Sequence, residues 1–216
     1  MPALTSEIKN THFAKFATTS RLIACLVSES LVKAIYVPGA GDQESVKGVC
    51  VLLRPTVSTL STIDDILAAV PLRGVPIIEK QVDIKGTKCG EIILVDGWDM
   101  LPHIYSLSNN KQDSYLPPVT NAQATRTKVA TILSSLLQDL VESTQLVDGF
   151  DAVQLWNKFA TDYKVTEKLI QLIGQELDSS MINQAYTYNN PKDLPTLESS
   201  TVHWEQIILE GHATHP

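Results

Sequence analysis

The sequence predicts an α+β fold, with an N-terminal helix and a small antiparallel sheet followed by an antiparallel helical bundle. Three observations carry this. Apolar residues recur at helical spacing towards both ends of the chain. Between them lie compact β-branched runs separated by turn residues. Helix-like and strand-like stretches come in blocks, which favours α+β over alternating βαβ units.

In chain order, Leu22, Ile23, Leu26, Val27, Leu31 and Ile35 cover about half the circumference of a helix and predict a largely buried one over residues 12–36. Arg21, Ser28, Glu29 and Lys33 fill the remaining arc, and Pro38 with the Gly39-Ala40-Gly41 turn ends it. Residues 46–53 form a β-branched run that reads as a strand. Residues 63–70 suggest a short helix capped by Thr62, with Asp64 and Asp65 in its first turn. Residues 76–84 and 91–95 read as two strands joined around Lys85-Gly86-Thr87-Lys88. Residues 107–121, with Asn109, Asn110, Pro117 and Pro118, have the composition of an exposed linker and mark the one candidate sub-boundary within residues 1–216.

The second half is helical. Val129, Ile132, Leu133, Leu136, Leu140 and Val141 make an apolar stripe bounded by Thr120 and Gly149. A third helix carries Val153, Trp156, Phe159, Ala160 and Tyr163, and a fourth carries Leu169, Ile170, Leu172, Ile173 and Leu177. Short connections favour antiparallel packing of these helices. Asn189, Asn190, Pro191 and Pro195 interrupt the chain, and a last helix over residues 197–210 stops at Gly211.

Composition narrows the function. The chain has 216 residues, 44% hydrophobic and 19% charged, enough for one domain with a substantial core. A formal net charge of -7 argues against a nucleic-acid partner, which needs a basic face. No apolar run reaches the ~20 residues that span a bilayer, and the start lacks a secretory signal, so a soluble cytoplasmic protein is expected. Cys25, Cys50 and Cys89 are odd in number and lack CxxC spacing. All three sit in apolar or strand-like sequence, where core thiols in a reducing compartment are expected. Nothing beside them would activate a catalytic thiol.

Three stretches invite a functional reading. Gly39-Ala40-Gly41 resembles the start of a dinucleotide loop, but it lacks the third glycine and runs into Asp42 and Glu44, which would repel a pyrophosphate. It reads as a turn, and no P-loop occurs. Asp96, Asp99 and His103 cluster around Trp98 and could do acid–base work, although Asp-Gly is a common turn and Asp99 could cap a short helix. The structural reading is preferred there. The third stretch is the end of the chain. Two of the five histidines fall within the last five residues, and His203 shares a polar helix face with Gln206 and Glu210. Trp204, Ile207 and Ile208 would then face the core. The histidines could form a solvated tail, hold a metal with a carboxylate, or grip an anion through imidazole donors. A convincing third metal ligand is missing, so no metal site is assigned.

Glu210-Gly211-His212-Ala213-Thr214-His215-Pro216 is similar to the EGHPxHPxxK motif of the NRPS-independent siderophore synthetases, the aerobactin synthetase (IucA/IucC) family. The stretch Thr18 to Val27 also resembles the family's first helix, and His203-Trp204-Glu205-Gln206 resembles the approach to the motif. Ala213 departs from the motif, standing where the family has proline, and the motif's lysine would lie beyond Pro216. The resemblance implies a ligase that uses ATP and Mg²⁺ to adenylate a carboxylic acid such as citrate, then joins it to an amine or hydroxyl. It places Gly211, His212 and His215 at the substrate or nucleotide, with no catalytic residue identified. It also implies a thumb, fingers and palm architecture, of which this chain would be most of the thumb, and a homodimer in the full-length form. The Mg²⁺ ligands would lie outside the chain, and the chain alone would be a fragment without synthetase activity. Such a fragment should expose a large apolar patch. A rival of another class is a non-catalytic helical binding module with a metal-binding or solvated His-rich end.

Overall fold

The computed structural model describes residues 6–39, 46–107, 122–137 and 146–190, together with Thr196 and Glu198. Helix α1 spans Ser6–Ser28 and is followed by strands β1 (Ala34–Pro38), β2 (Gly48–Leu53), β3 (Ile66–Leu72), β4 (Ile77–Ile84), β5 (Thr87–Leu94) and β6 (Tyr105–Leu107). Helix α2 (Ala122–Ser134), strand β7 (Leu146–Asp148) and helices α3 (Ala152–Asp162) and α4 (Glu167–Asn189) complete the described elements. The α+β class follows, with the strands in one seven-stranded sheet of order β4-β5-β1-β2-β3-β6-β7. Every pairing between these strands is antiparallel.

Each face of the sheet carries its own core. Ala34, Tyr36, Cys50, Leu52, Ala68, Val70, Leu72 and Ile92 point towards α1, α3 and α4. Ile35, Val37, Val49, Val51, Leu53 and Ala69 point the other way, where α2 brings Val129, Ile132 and Leu133. That is the two-residue period of a pleated strand. Both β2 and β3 are buried along their whole length, so apolar cover is needed on both sides. The expected bundle of the last three helices is therefore divided. Helices α3 and α4 pack on each other and on α1, whereas α2 lies across the sheet against β1, β2 and β7.

Four further expectations change. Helix α1 stops at Ser28, because Ser30 adopts a left-handed conformation (φ 56°) and the Leu31 N–H returns to the Leu26 carbonyl at 2.9 Å. Ile35, expected on the helix, belongs to β1, where Ala-Ile-Tyr-Val suits a pleated surface. The short helix at residues 63–70 is only a 3-10 turn, Ile63–Asp65, running into β3. Its N-cap is Thr62, as expected, and the Asp65 carboxylate three residues on closes a capping box by accepting from the Ser61 and Thr62 N–H groups at 2.8 and 2.7 Å. Strand β7 falls within the bounds given to the second helix, which ends at Ser134, and Leu140 and Val141 of its expected stripe lie outside the described residues. By contrast, β2, the β4–β5 hairpin, α3 and α4 lie where the pattern puts them. Lys85 and Gly86 have φ of 49° and 83°, the two left-handed positions of a tight hairpin turn. The linker expected at residues 107–121 and the last helix at 197–210 lie outside the described residues, apart from Leu107 and Glu198.

Candidate functional site

The residues expected to bind substrate or nucleotide, Gly211, His212 and His215, lie outside the described residues. So do His203, Gln206, Glu210, Asp42 and Glu44. Gly39 follows β1 and donates to the Lys47 carbonyl at 2.8 Å, in the connection between two antiparallel strands.

The second candidate, Asp96-Asp99-His103, resolves into a turn and a core residue. Gly97–Asp99 form a 3-10 turn, and its cap is Asp96, not Asp99 as expected. An Asp96 carboxylate oxygen accepts from the Trp98 N–H at 2.9 Å. Asp99 holds the neighbouring strand connection, since its carbonyl accepts from the Arg73 N–H at 2.8 Å. Its carboxylate fills the space beside Gly74, where an added Cβ would lie 2.7 Å from it. His103 is buried and stacks near Tyr105, with ring centroids 6.3 Å apart.

The turn nevertheless forms one wall of a groove of about 400 Å³ between α1 and the end of β5. Phe13, Phe16 and Ala17 of α1 face Leu94 and Val95 across it, with Trp98 at the rim. Three polar side chains, Ser20, Arg21 and Asp96, also line it, as does Cys25. The groove is open and mainly apolar, which suits binding rather than bond chemistry. Only one sequence signal could have found it: Leu94 and Trp98 flank an Asp-Gly turn, and Trp98 stays 71% exposed.

A buried polar contact fixes this wall of the groove. Gln184 on α4 sits between Thr18 and Arg21 of α1 and is 3% exposed. Its amide is best satisfied with nitrogen donating to Thr18 Oγ1 at 3.1 Å and to the Ala14 carbonyl at 3.2 Å. Its oxygen then accepts from Arg21 Nη1 at 3.2 Å. Further along, Asn10 Nδ2 donates to the Tyr188 carbonyl and to Asn189 Oδ1, so α1 and α4 run antiparallel.

The cysteines divide. Burial pushes the Cys50 thiol up to about 12, and burial with the nearby Asp83 charge pushes Cys89 up to about 11. Both are core thiols, as expected. Cys25 is exposed on α1, against expectation, because it lies at the open groove between α1 and the end of β5 rather than in the core. Among the described residues no three His, Cys, Asp or Glu side chains converge to hold a metal ion, and no helix is long and apolar enough to cross a membrane.

No protein-family model matches the chain. No solved structure matches it either. Over 227 aligned positions it is 48% identical to the NRPS-independent siderophore synthetase rfs of Rhizopus delemar. The match takes in 100% of this chain and 35% of the relative, so the chain spans about a third of that protein's length.

Proposed function

We propose, from the premise that this chain belongs to the NRPS-independent siderophore synthetase family, that it is part of an ATP-dependent ligase of siderophore biosynthesis. The observation that carries this is the 48% identity maintained along the whole chain. In the proposed reaction a carboxylate oxygen of citrate or a related acid attacks the α-phosphorus of ATP. The bond to the β-phosphate bridge breaks, and pyrophosphate leaves. An amine or hydroxyl then attacks the acyl carbon of the adenylate, loses its proton, and expels AMP as the amide or ester forms. A free carboxylate is a poor electrophile at neutral pH, and AMP is a competent leaving group. The protein's work is to hold the reactants in line and to offset developing charge.

In this reading His212 and His215, presented after Gly211, donate hydrogen bonds to carboxylate or phosphate oxygens. Mg²⁺ is proposed to be held by ligands in the rest of such an enzyme. The described helices and sheet serve as a scaffold. On its own the 216-residue chain is proposed to be inactive, and the complete enzyme is proposed to be cytoplasmic and homodimeric.

The test is isotope exchange between pyrophosphate and ATP, measured with the longest reading frame that carries this sequence. Exchange should require citrate or a related acid and should be absent with the 216-residue chain alone. Exchange that needs no carboxylic acid would remove the adenylation reading, and no exchange with any carboxylic acid would favour a non-catalytic binding module.

A further inference from the structure

We infer that the apolar surface formed by Phe13, Ile77, Leu94 and Trp98 is an interface for the two thirds of a synthetase that lie outside the span matched by this chain. The inference rests on reading the chain as part of such an enzyme. These residues come from α1, β4, β5 and the Gly97–Asp99 turn, and the fold brings them to one place. Phe13, Leu94 and Trp98 line the groove. Ile77 is the cross-strand partner of Leu94 and shares its face of the sheet. Their exposures of 41, 56, 46 and 71% leave large apolar side chains uncovered at and beside the groove, which is the character of an interaction site.

The surface is also held in place. Trp98 projects from a turn fixed by its own N–H on Asp96, by the Asp99 N–H on the Asp96 carbonyl, and by the Arg73 N–H on the Asp99 carbonyl. A large aromatic group on a tied backbone loses little freedom when covered, which is the character of an interface anchor. The charges at the rim point to the partner's chemistry. Arg21 is turned to Gln184, whereas Asp96 is exposed and Asp99 is half-buried, so the fitting surface is apolar with a basic side chain near the turn.

Size supplies the occupant. About two thirds of the Rhizopus delemar relative lies outside the match, and that polypeptide must meet the matched third somewhere. Another set of exposed apolar residues among those described, Leu172, Ile182 and Tyr186 on α4, is a weaker candidate. It is interspersed with exposed Gln175, Glu176, Ser179 and Asn183.

Cys25 reports on the groove, because it is exposed and lines it. Its alkylation rate is to be measured in the 216-residue chain and in a Rhizopus delemar synthetase whose matched third is replaced by this chain. Alkylation should be roughly tenfold slower in the long protein. Trp98→Ala in the long protein should restore much of the fast rate, and Ile182→Ala should not. Equal rates in the two proteins would overturn the inference, as would a protected rate indifferent to Trp98→Ala. Sedimentation of the 216-residue chain supplies a second arm: a dimer abolished by Trp98→Ala would assign the surface to another copy of the chain and overturn the inference. Pyrophosphate exchange by the same long protein separates the two claims. Protected Cys25 without exchange keeps the interface and removes the adenylation reading. Exchange with Cys25 fully reactive does the reverse.

Discussion

Asp65 shows how much a single side chain does in this fold. Burial pushes its carboxyl up, but the N–H groups of Thr62 and Ser61, the Thr62 hydroxyl and the Arg54 charge together outweigh that and hold it below the usual carboxylate range. A carboxyl depressed in the folded state contributes stability above its unfolded value, near ~3.9, and loses it as pH falls through the folded value. Asp65→Ala should therefore cost about 0.5–2 kcal/mol near neutral pH, and much less below both values. Urea unfolding at two pH values checks this. The thiols give a second expectation at this scale. In the native protein Cys25 should react with a thiol reagent at once, while Cys50 and Cys89 should wait for unfolding. Three fast thiols would contradict the described core. The sequence marks all three cysteines as buried because each has apolar neighbours. Which side of a helix faces the sheet is decided by tertiary packing, so Cys25 could not be separated from the others by composition.

At the scale of elements, the contact between α1 and α4 is polar as well as apolar. Gln184→Leu should remove the buried hydrogen bonds that Gln184 makes to the Thr18 hydroxyl, the Ala14 carbonyl and Arg21, and cost about 1–3 kcal/mol. Adding Thr18→Val should recover part of that loss, and a double-mutant cycle in thermal unfolding reads the coupling. Helices α3 and α4 meet through a different device, the Trp156 Nε1 donating to the Ile170 carbonyl at 3.0 Å. Elements with local signals were legible in the sequence. The hairpin turn needs two left-handed residues and has Lys-Gly, while α3 announces itself through Val153, Trp156, Phe159 and Ala160 at helical spacing. The misread elements are those whose identity depends on distant partners. Ile66–Leu72 is a continuous apolar run that suits helix or strand, and pairing with β2 makes it a strand. Strand β7 is three residues long and is defined by β6, which lies some forty positions earlier in the chain.

For the molecule as a whole, the chain's last seven residues gave the family, while the fold gave little of the function. The proposed chemistry can still be probed through those residues. In a longer enzyme His212→Ala should slow pyrophosphate exchange by an amount equivalent to about 1.5–3 kcal/mol, the worth of a charge-assisted hydrogen bond. An unchanged rate would take His212 out of the site. The class of fold was readable because helices and strands come in blocks. The division of helices between two faces was not, since it follows from a sheet whose central strands are apolar on both sides. The groove was equally hidden. Phe13, Ile77, Leu94 and Trp98 are scattered over more than eighty positions, and only the antiparallel order of the strands draws them together.

That order also bears on how the chain assembles. Strands β1, β2 and β3 are neighbours in sequence and in the sheet, and β4 and β5 form a separate hairpin that joins through β5 alongside β1. Contacts between near neighbours close at low entropic cost, so the three-stranded meander can nucleate before the hairpin docks. The β4–β5 hairpin then docks on a formed centre, bringing Ile92 to one core and Ile84 and Cys89 to the other, and the groove is complete only once it is seated.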